Sequence, residues 1–222
     1  MFQVSALWEK TYPDAHVGVL IMHGVENPPN HSGLEERKAA LETELRSRFA
    51  GQDRSALLHN PILRAYDDYY RRFKKTYQVQ LQVESIVFRG KSIHGVAALV
   101  EAMFMAEMKD LLLTAGHDLD AVRLPMTLDV AQGTETYTLL RGSEQVTKAG
   151  DMLIRDREGI ISSVIYGPDQ RTQITPQTRN AVFTAYAPSG ISEETVANHL
   201  REIRQNVALI APNAGIELLQ VF

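Results

Sequence analysis

The sequence contains no cysteine. This absence excludes thiol catalysis, thiolate metal sites, iron–sulfur clusters and disulfide bonds. The seven histidines are scattered without the spacing of metal ligands. The phosphate-binding GxxxxGK[ST] loop, the GxGxxG fingerprint, the HExxH motif and the GxSxG elbow are also missing. We therefore predict a protein that uses neither a metal ion nor a cofactor.

An excess of basic residues is also lacking. The chain has 23 Lys and Arg against 27 Asp and Glu, a net charge of -4. A protein that coats nucleic acid by bulk electrostatics is normally basic. We therefore expect no DNA partner, although a local basic patch on an RNA-handling enzyme is compatible with this charge.

Long apolar runs and a secretion signal are missing as well. The most apolar stretch, 96–115, carries Glu101, Glu107, Lys109 and Asp110, and is too interrupted to span a bilayer. Residues 1–10 lack a basic segment followed by an apolar one. These patterns predict a soluble cytoplasmic protein without a membrane partner, and they leave the oligomeric state open.

The first half of the chain is rich in helical patterns. A buried strand is expected over 17–25, followed by helices over 32–51, 62–75 and 96–114. Ser32 and Glu35 form a capping-box pattern at the start of the first helix. Pro61 is placed to open the second helix, and Gly116 to end the third.

In the second half the apolar period changes to two. Strands are expected over 123–131, 136–140, 152–156, 160–165, 181–186 and 216–221. A helix is expected over 193–208, with Ser192 as its N-cap. A chain of 222 residues can bury a full core, and no repeat or long linker divides it. The prediction is one α+β domain over residues 1–222, with a helix-rich first half and a mainly antiparallel sheet in the second.

The segment 66–77 mixes basic and aromatic residues. One interpretation is that the cations hold a phosphate backbone while an aromatic ring stacks on a base. The other is an amphipathic helix with aromatic residues in the core and solvated cations outside. The two interpretations are compatible, because a packed helix still offers its basic face. The candidate RNA-binding residues are Arg64, Arg71, Arg72, Lys74 and Lys75.

Two further positions carry groups suited to catalysis or binding. His117 follows the third predicted helix, where an imidazole can orient a water or an ester oxygen, with Asp118 or Asp120 fixing its tautomer. Alternatively, His117 interacts only with the helix dipole. Asp169 lies in a polar loop, where it either recognises an ammonium group from a pocket wall or caps a hairpin turn.

Several short motifs occur along the chain in an order that is characteristic of a known family. They are VGVLIMHGV (17–25), YRRF (70–73), GHDLD (116–120), GTETY (133–137), AGD (149–151), YGPD (166–169) and TPQTRNAV (175–182). With this order and spacing the chain resembles the tRNA-editing domain of the phenylalanyl-tRNA synthetase beta subunit, formed by its third and fourth domains. It resembles free-standing relatives of that domain more closely, over about residues 15–210.

The resemblance implies hydrolysis of a mischarged aminoacyl ester at the acceptor end of a tRNA, without a metal ion. His117 matches the family histidine near the terminal adenosine and the scissile ester. Asp169 takes the place of a pocket glutamate that follows paired glycines. The implied catalytic residues are therefore His117 and Asp169, and the implied substrate pocket contains Glu135, Gly167, Thr178 and Asn180.

The sequence departs from the family at two places. Pro168 and Asp169 replace the second glycine and the glutamate, so tyrosine specificity does not carry over. Met103 and Phe104 occupy a stretch of helix where many free-standing relatives have an asparagine, and they are expected to pack in the core. These changes favour an alternative function, a non-catalytic tRNA- or RNA-binding module. A third alternative is a hydrolase or binder of free amino-acid derivatives.

Overall fold

The apolar run near the N-terminus forms a buried strand. The computed structural model describes residues 1–93, 95 and 97–222. Within them His16–His23 is the strand β2, of which six of eight residues are buried. A β-branched run of this kind is typical of a strand covered on both faces. The prediction for this segment is therefore confirmed.

Antiparallel strands dominate the second half of the described chain. The strands are β1 (Phe2–Val4), β2 (His16–His23), β3 (Leu113–Asp118), β4 (Met126–Val130), β5 (Thr136–Thr138), β6 (Glu144–Val146), β7 (Met152–Arg155), β8 (Ile160–Ser163), β9 (Gly167–Pro168), β10 (Asn180–Ala187) and β11 (Gly215–Val221). They form a five-stranded sheet in the order β1-β4-β7-β8-β9, a four-stranded sheet in the order β11-β2-β10-β3, and the hairpin β5-β6. The pairing of β1 with β4 is parallel, and the other pairings are antiparallel.

The helices are concentrated in the first half. They are α1 (Ala6–Thr11), α2 (Ser32–Arg48), α3 (Arg54–Leu57), α4 (Pro61–Arg71), α5 (Gln78–Arg89), α6 (Ala98–Asp110) and α7 (Glu193–Ile210). The expected α+β class, with helices first and a mainly antiparallel sheet second, is confirmed. None of the described helices is long and apolar enough to cross a membrane.

The helix α7 lies directly on the four-stranded sheet. A Cβ atom at Gly18 in β2 would lie 2.6 Å from the Cγ1 atom of Val196, so only glycine permits this close approach. Val196, Leu200 and Ile203 of α7 are fully buried. The helix α6 packs beside α7, and β3 forms the edge of the sheet next to it.

Two helix starts follow the sequence signals. Asn60 caps α4 through its side chain, which accepts hydrogen bonds from Ile62 and Leu63, and Pro61 occupies the first turn. Ser192 accepts a hydrogen bond from the Thr195 N–H at the start of α7, as predicted.

Other local predictions are wrong. His31, not Ser32, is the N-cap of α2, and no side chain caps that helix end. Glu35 instead forms an ion pair with Lys38. The predicted helix over 96–114 begins at a residue outside the described part, and its described portion ends at Asp110.

The reason for this early end is the backbone at Leu111, which adopts a left-handed conformation with φ of 64° and caps α6. The chain then enters β3, so Gly116 lies in a strand and caps no helix. The helix α5 has no counterpart in the sequence-based prediction.

Candidate functional site

A cleft of about 360 Å³ lies between α5, α6, β3 and the segment 166–174. Its apolar walls are formed by Val100, Met103, Phe104, Leu140, Pro168 and Ile174. Its polar groups come from Gln78, Gln82, Glu107, Thr114, Tyr166 and Gln173. A concave, mostly apolar cleft of this size with a few converging polar groups is typical of a small-ligand site. We refer to it below as the cleft.

Two glycines border the cleft with their backbone. A Cβ atom at Gly116 would lie 2.8 Å from the Cδ1 atom of Ile174 and 3.1 Å from the Met103 sulfur. Gly167 has a φ of 84°, and its carbonyl accepts a hydrogen bond of 2.9 Å from the Tyr137 hydroxyl. Met103 and Phe104 therefore form a wall of the cleft, in addition to packing against the core.

His117 is completely buried and points away from the cleft. Because successive residues of a strand face opposite sides of the sheet, Gly116 borders the cleft while His117 faces the other way. Burial and, to a smaller extent, the nearby charge of Arg171 lower the pKa of His117 to about 3, against the opposing effect of Asp156. The imidazole is therefore neutral at pH 7.

His117 and Asp169 are brought together through Thr172. The Nδ1 atom of His117 lies 2.8 Å from the Thr172 hydroxyl oxygen, and this hydroxyl donates a hydrogen bond to Asp169. Asp169 also accepts a 3.1 Å hydrogen bond from the Thr172 N–H. Burial raises the pKa of Asp169, and these hydrogen bonds oppose the rise. Neither His117 nor Asp169 lines the cleft, although Gly167 does.

Thr178 lies in the turn before β10, and Asn180 is the first residue of β10. Thr178 donates a 2.7 Å hydrogen bond to Asp118, and the Asn180 amide donates one of 2.9 Å to Asp120. These bonds join the start of β10 and the turn before it to the end of β3 and the turn that follows it. Both residues hold the backbone around His117, and neither lines the cleft.

Glu135 closes a turn before β5. Its carboxylate accepts hydrogen bonds from the Gln132 and Gly133 N–H groups and from the Thr147 hydroxyl. Partial burial would raise the pKa of Glu135, but these bonds lower it to about 2. The carboxylate lies 3.7 Å from Arg155, beside a shallow depression separate from the cleft. The structure thus places Glu135 apart from Gly167.

The basic residues around α4 are exposed, whereas its aromatic residues are buried. Tyr66, Tyr69 and Tyr70 are each at most 3% exposed, so they pack in the core and are not available to stack on a base. The exposed cations are Arg64, Arg71, Arg72, Lys74 and Lys75, which we call the basic strip.

Members of the basic strip differ in how strongly they are engaged. Arg71 forms a 2.9 Å ion pair with Asp67. The Arg72 guanidinium lies 5.3 Å from the centre of the Tyr69 ring and donates a hydrogen bond to Tyr12. The Lys75 Nζ atom lies 5.4 Å from the centre of the ring of Tyr166, a residue that lines the cleft. The basic strip therefore reaches the cleft at Lys75.

Glu107 is a residue of the cleft that the sequence-based assignment missed. It is 3% exposed, and its Oε1 atom accepts a 2.6 Å hydrogen bond from the Thr114 N–H. Burial raises the pKa of Glu107 to about 8. The sequence did contain a signal for it. Glu107 follows Met103 by four residues and Phe104 by three, so its acidic side chain lies on the same face of the helix as these two apolar residues.

No group of three or more histidine, aspartate or glutamate side chains within residues 1–93, 95 and 97–222 is arranged to hold a metal ion. The polar groups of the cleft are amides, hydroxyls and one carboxyl group. Such a set can bind a polar or cationic organic group and can position a water molecule.

Residues 65–220 match the sequence model of the B3/4 domain. The fold is similar to that of an N-terminal fragment of the phenylalanyl-tRNA synthetase beta subunit from Pyrococcus horikoshii, with a TM-score of 0.52 and 13% sequence identity. The match covers 97% of this chain and 50% of that fragment, so the chain spans half the length of the solved relative. A comparison with curated proteins found no match.

Proposed function

We propose, from the premise that this chain belongs to the B3/4 domain family, that it binds the acceptor end of an aminoacylated tRNA and hydrolyses a wrongly attached amino acid. The protein of similar fold is part of a phenylalanyl-tRNA synthetase beta subunit, an enzyme that acts on tRNA. The motif order from 17 to 182 supports the same assignment, since it resembles the tRNA-editing domain of that subunit.

The observation that carries the proposal is the junction of the basic strip with the cleft. Lys75 lies over the ring of Tyr166 at this junction. A cation here is suited to hold a phosphate of the acceptor end, while the attached amino acid enters the cleft. The apolar walls then enclose the side chain, and the polar groups orient the ester.

Hydrolysis in the cleft does not require a strong base. An aminoacyl ester is already activated, so a positioned water and hydrogen-bond donors to the carbonyl oxygen supply much of the rate enhancement. The amides of Gln78, Gln82 and Gln173, which line the cleft, are donors of this kind.

In this proposal, His117 and Asp169 are positioning residues. Through Thr172 they fasten the segment 169–172 to β3, and this segment continues into Gln173 and Ile174 of the cleft wall. A side chain that acts through the wall needs no direct contact with the ester.

The test is a deacylation assay with a panel of mischarged tRNAs. We expect the full chain to accelerate hydrolysis of at least one member, and Gly116→Ala to slow it while leaving the affinity for uncharged tRNA unchanged. Hydrolysis of no member of the panel would overturn the enzymatic part of the proposal.

A second candidate function is binding of tRNA without catalysis. The burial of His117 and the engagement of Asp169 by Thr172 favour it, because neither group lines the cleft. An electrophoretic shift of tRNA together with unchanged deacylation rates would select this function over the first.

A further inference from the structure

Glu107 is a buried carboxylic acid that faces a ligand-sized cleft. One oxygen, Oε1, accepts the Thr114 N–H at 2.6 Å, and the residue lines the cleft. Within the described part of the chain, no cationic side chain forms an ion pair with it. Buried carboxylates are normally paired, so this arrangement leaves a place for a cation that the protein itself does not supply.

The surroundings of Glu107 are apolar or uncharged. Burial raises its pKa to about 8, and the hydrogen bond from Thr114 offsets only part of this rise. The titratable groups that interact with it are the hydroxyls of Tyr66, Tyr70 and Tyr77, whose own pKa values are raised by burial. These tyrosines are neutral near pH 7, and Glu107 itself is mostly protonated there. An entering cation would therefore form its ion pair with Glu107 in a weakly screened environment as the carboxyl group loses its proton.

The walls next to Glu107 limit what else the ligand can carry. Val100, Met103, Phe104 and Ile174 present aliphatic, thioether and aromatic surface to the cleft. A second charge on the ligand would be desolvated against these walls without a partner. The cleft therefore suits a molecule with one cationic group and an otherwise uncharged, apolar body.

We propose that Glu107 binds the α-ammonium group of the aminoacyl moiety, and that the cleft accepts aminoacyl groups with uncharged side chains. This inference rests on the proposed function, which supplies an aminoacyl ester as the ligand. In this inference Glu107, and not Asp169, recognises the amino group. The Asp169 carboxylate is engaged by Thr172, whereas the Glu107 carboxyl group lines the cleft.

A purely structural role for Glu107 makes a different prediction. Accepting the Thr114 N–H requires only an oxygen atom, which the side-chain carbonyl of glutamine provides equally well. Ammonium binding requires the ionised carboxylate. The substitution Glu107→Gln therefore separates the two roles while keeping the size of the side chain.

The experiment is calorimetric titration of the full chain with two amides. Phenylalaninamide carries the α-amino group, and 3-phenylpropanamide has the same body without it. We expect wild-type protein to bind the first about tenfold or more tightly than the second, as is typical of a hydrogen-bonded charge pair. Glu107→Gln abolishes this preference. Glu101→Gln, which removes a buried carboxylate of the same helix that pairs with Lys38, preserves it.

Proton release provides a second readout that does not depend on a variant. At about pH 6 both Glu107 and an α-amino group, which ionises near 7.7–8.0, carry their protons. Formation of the ion pair then releases the Glu107 proton, close to one proton per complex, as measured by titration in buffers of different ionisation enthalpy. The amide without an amino group releases none.

Equal affinity for the two amides, binding of neither at millimolar concentration, or a preference that survives in folded Glu107→Gln protein would each overturn the inference. These outcomes are distinct from failure of the proposed function. Absence of deacylation with an intact amino preference removes the hydrolysis and leaves ammonium binding by Glu107 standing. Deacylation by a protein that binds the two amides equally well removes ammonium binding by Glu107 and leaves the proposed hydrolysis standing.

Discussion

The Nδ1 atom of His117 lies 2.8 Å from the hydroxyl oxygen of Thr172. Because this hydroxyl donates its proton to the Asp169 carboxylate, it accepts the hydrogen bond from the Nδ1–H group of His117. The network thus assigns a neutral imidazole with its proton on Nδ1. The other nitrogen, Nε2, is buried without a hydrogen-bond partner in the described part of the chain.

This network leads to a stability prediction at Thr172. The substitution Thr172→Val keeps the shape of the side chain but removes both the donor to Asp169 and the acceptor for His117. We expect the free energy of unfolding to fall by about 1–3 kcal/mol, the cost of leaving buried polar groups unpaired. Urea denaturation measures the change. Thr172→Ser, which keeps the hydroxyl, is the control, and an equal loss in both variants would contradict the assigned network.

The buried imidazole predicts acid sensitivity. The pKa of His117 is about 3 in the folded protein, against an ordinary value of 6.5, so the unfolded chain binds the additional proton between these values. The contribution of His117 to the free energy of unfolding is therefore complete above about pH 6.5 and is lost as the pH falls towards 3. The contribution of His117 to the slope reaches at most about 1.4 kcal/mol per pH unit. Urea denaturation at several pH values measures the free energy of unfolding. Between about pH 3 and 6.5 this free energy should change less steeply with pH in His117→Gln than in the wild type, and identical slopes would refute the lowered pKa of His117.

Glu107 predicts a pH dependence of the opposite sign. Its pKa is about 8 in the folded protein, against an ordinary value of 4.5, so the folded state holds the proton between these values. The contribution to stability is complete below about pH 4.5 and declines as the pH rises towards 8. Glu107→Gln should therefore gain stability relative to the wild type as the pH increases over this range. A difference that is constant from pH 5 to 8 would argue against a raised pKa.

The width of the cleft can be tested at Gly116. A methyl group there would lie 2.8 Å from the Cδ1 atom of Ile174, so Gly116→Ala forces the wall to move and narrows the cleft. We expect weaker binding of phenylalaninamide, with a loss of stability of about 1–3 kcal/mol from overpacking. In the double variant Gly116→Ala with Ile174→Ala, the clash is removed. Recovery of binding in this variant, measured by calorimetry, would locate the effect at the contact, and its absence would contradict the described geometry.

The basic strip predicts a salt-dependent contribution to tRNA binding. If Lys75 contacts a phosphate, Lys75→Ala weakens binding and reduces the slope of log K against log salt by about 0.7–0.9. Filter binding at several salt concentrations measures the slope. Arg201→Ala is the control, because this exposed arginine lies on α7, outside the strip. Arg72→Ala is a poorer probe, since its guanidinium packs over Tyr69 and supports the fold. Equal slopes for Lys75→Ala and the wild type would exclude a phosphate contact.

Local sequence signals accounted for much of the fold because they act over a few residues. The run that becomes β2, the start of α4 at Pro61 and the Ser192 cap of α7 each depend on neighbouring side chains. The end of α6 escaped prediction because apolar residues continue past Asp110 into β3. Only the left-handed backbone at Leu111 separates the two elements, and nothing in the apolar pattern marks that position.

The sequence by itself determined the α+β class and the absence of cysteine chemistry. It also determined that α4 is amphipathic, with aromatic residues on its buried face and cations on its exposed face. These properties follow from composition and from periodicity along single elements. The tertiary structure alone decided which polar groups share a space. It buried His117 on the face of β3 that points away from the cleft and brought Glu107 to the cleft. The reason is that the direction of a strand residue and the packing of α6 on β3 depend on residues distant in the chain.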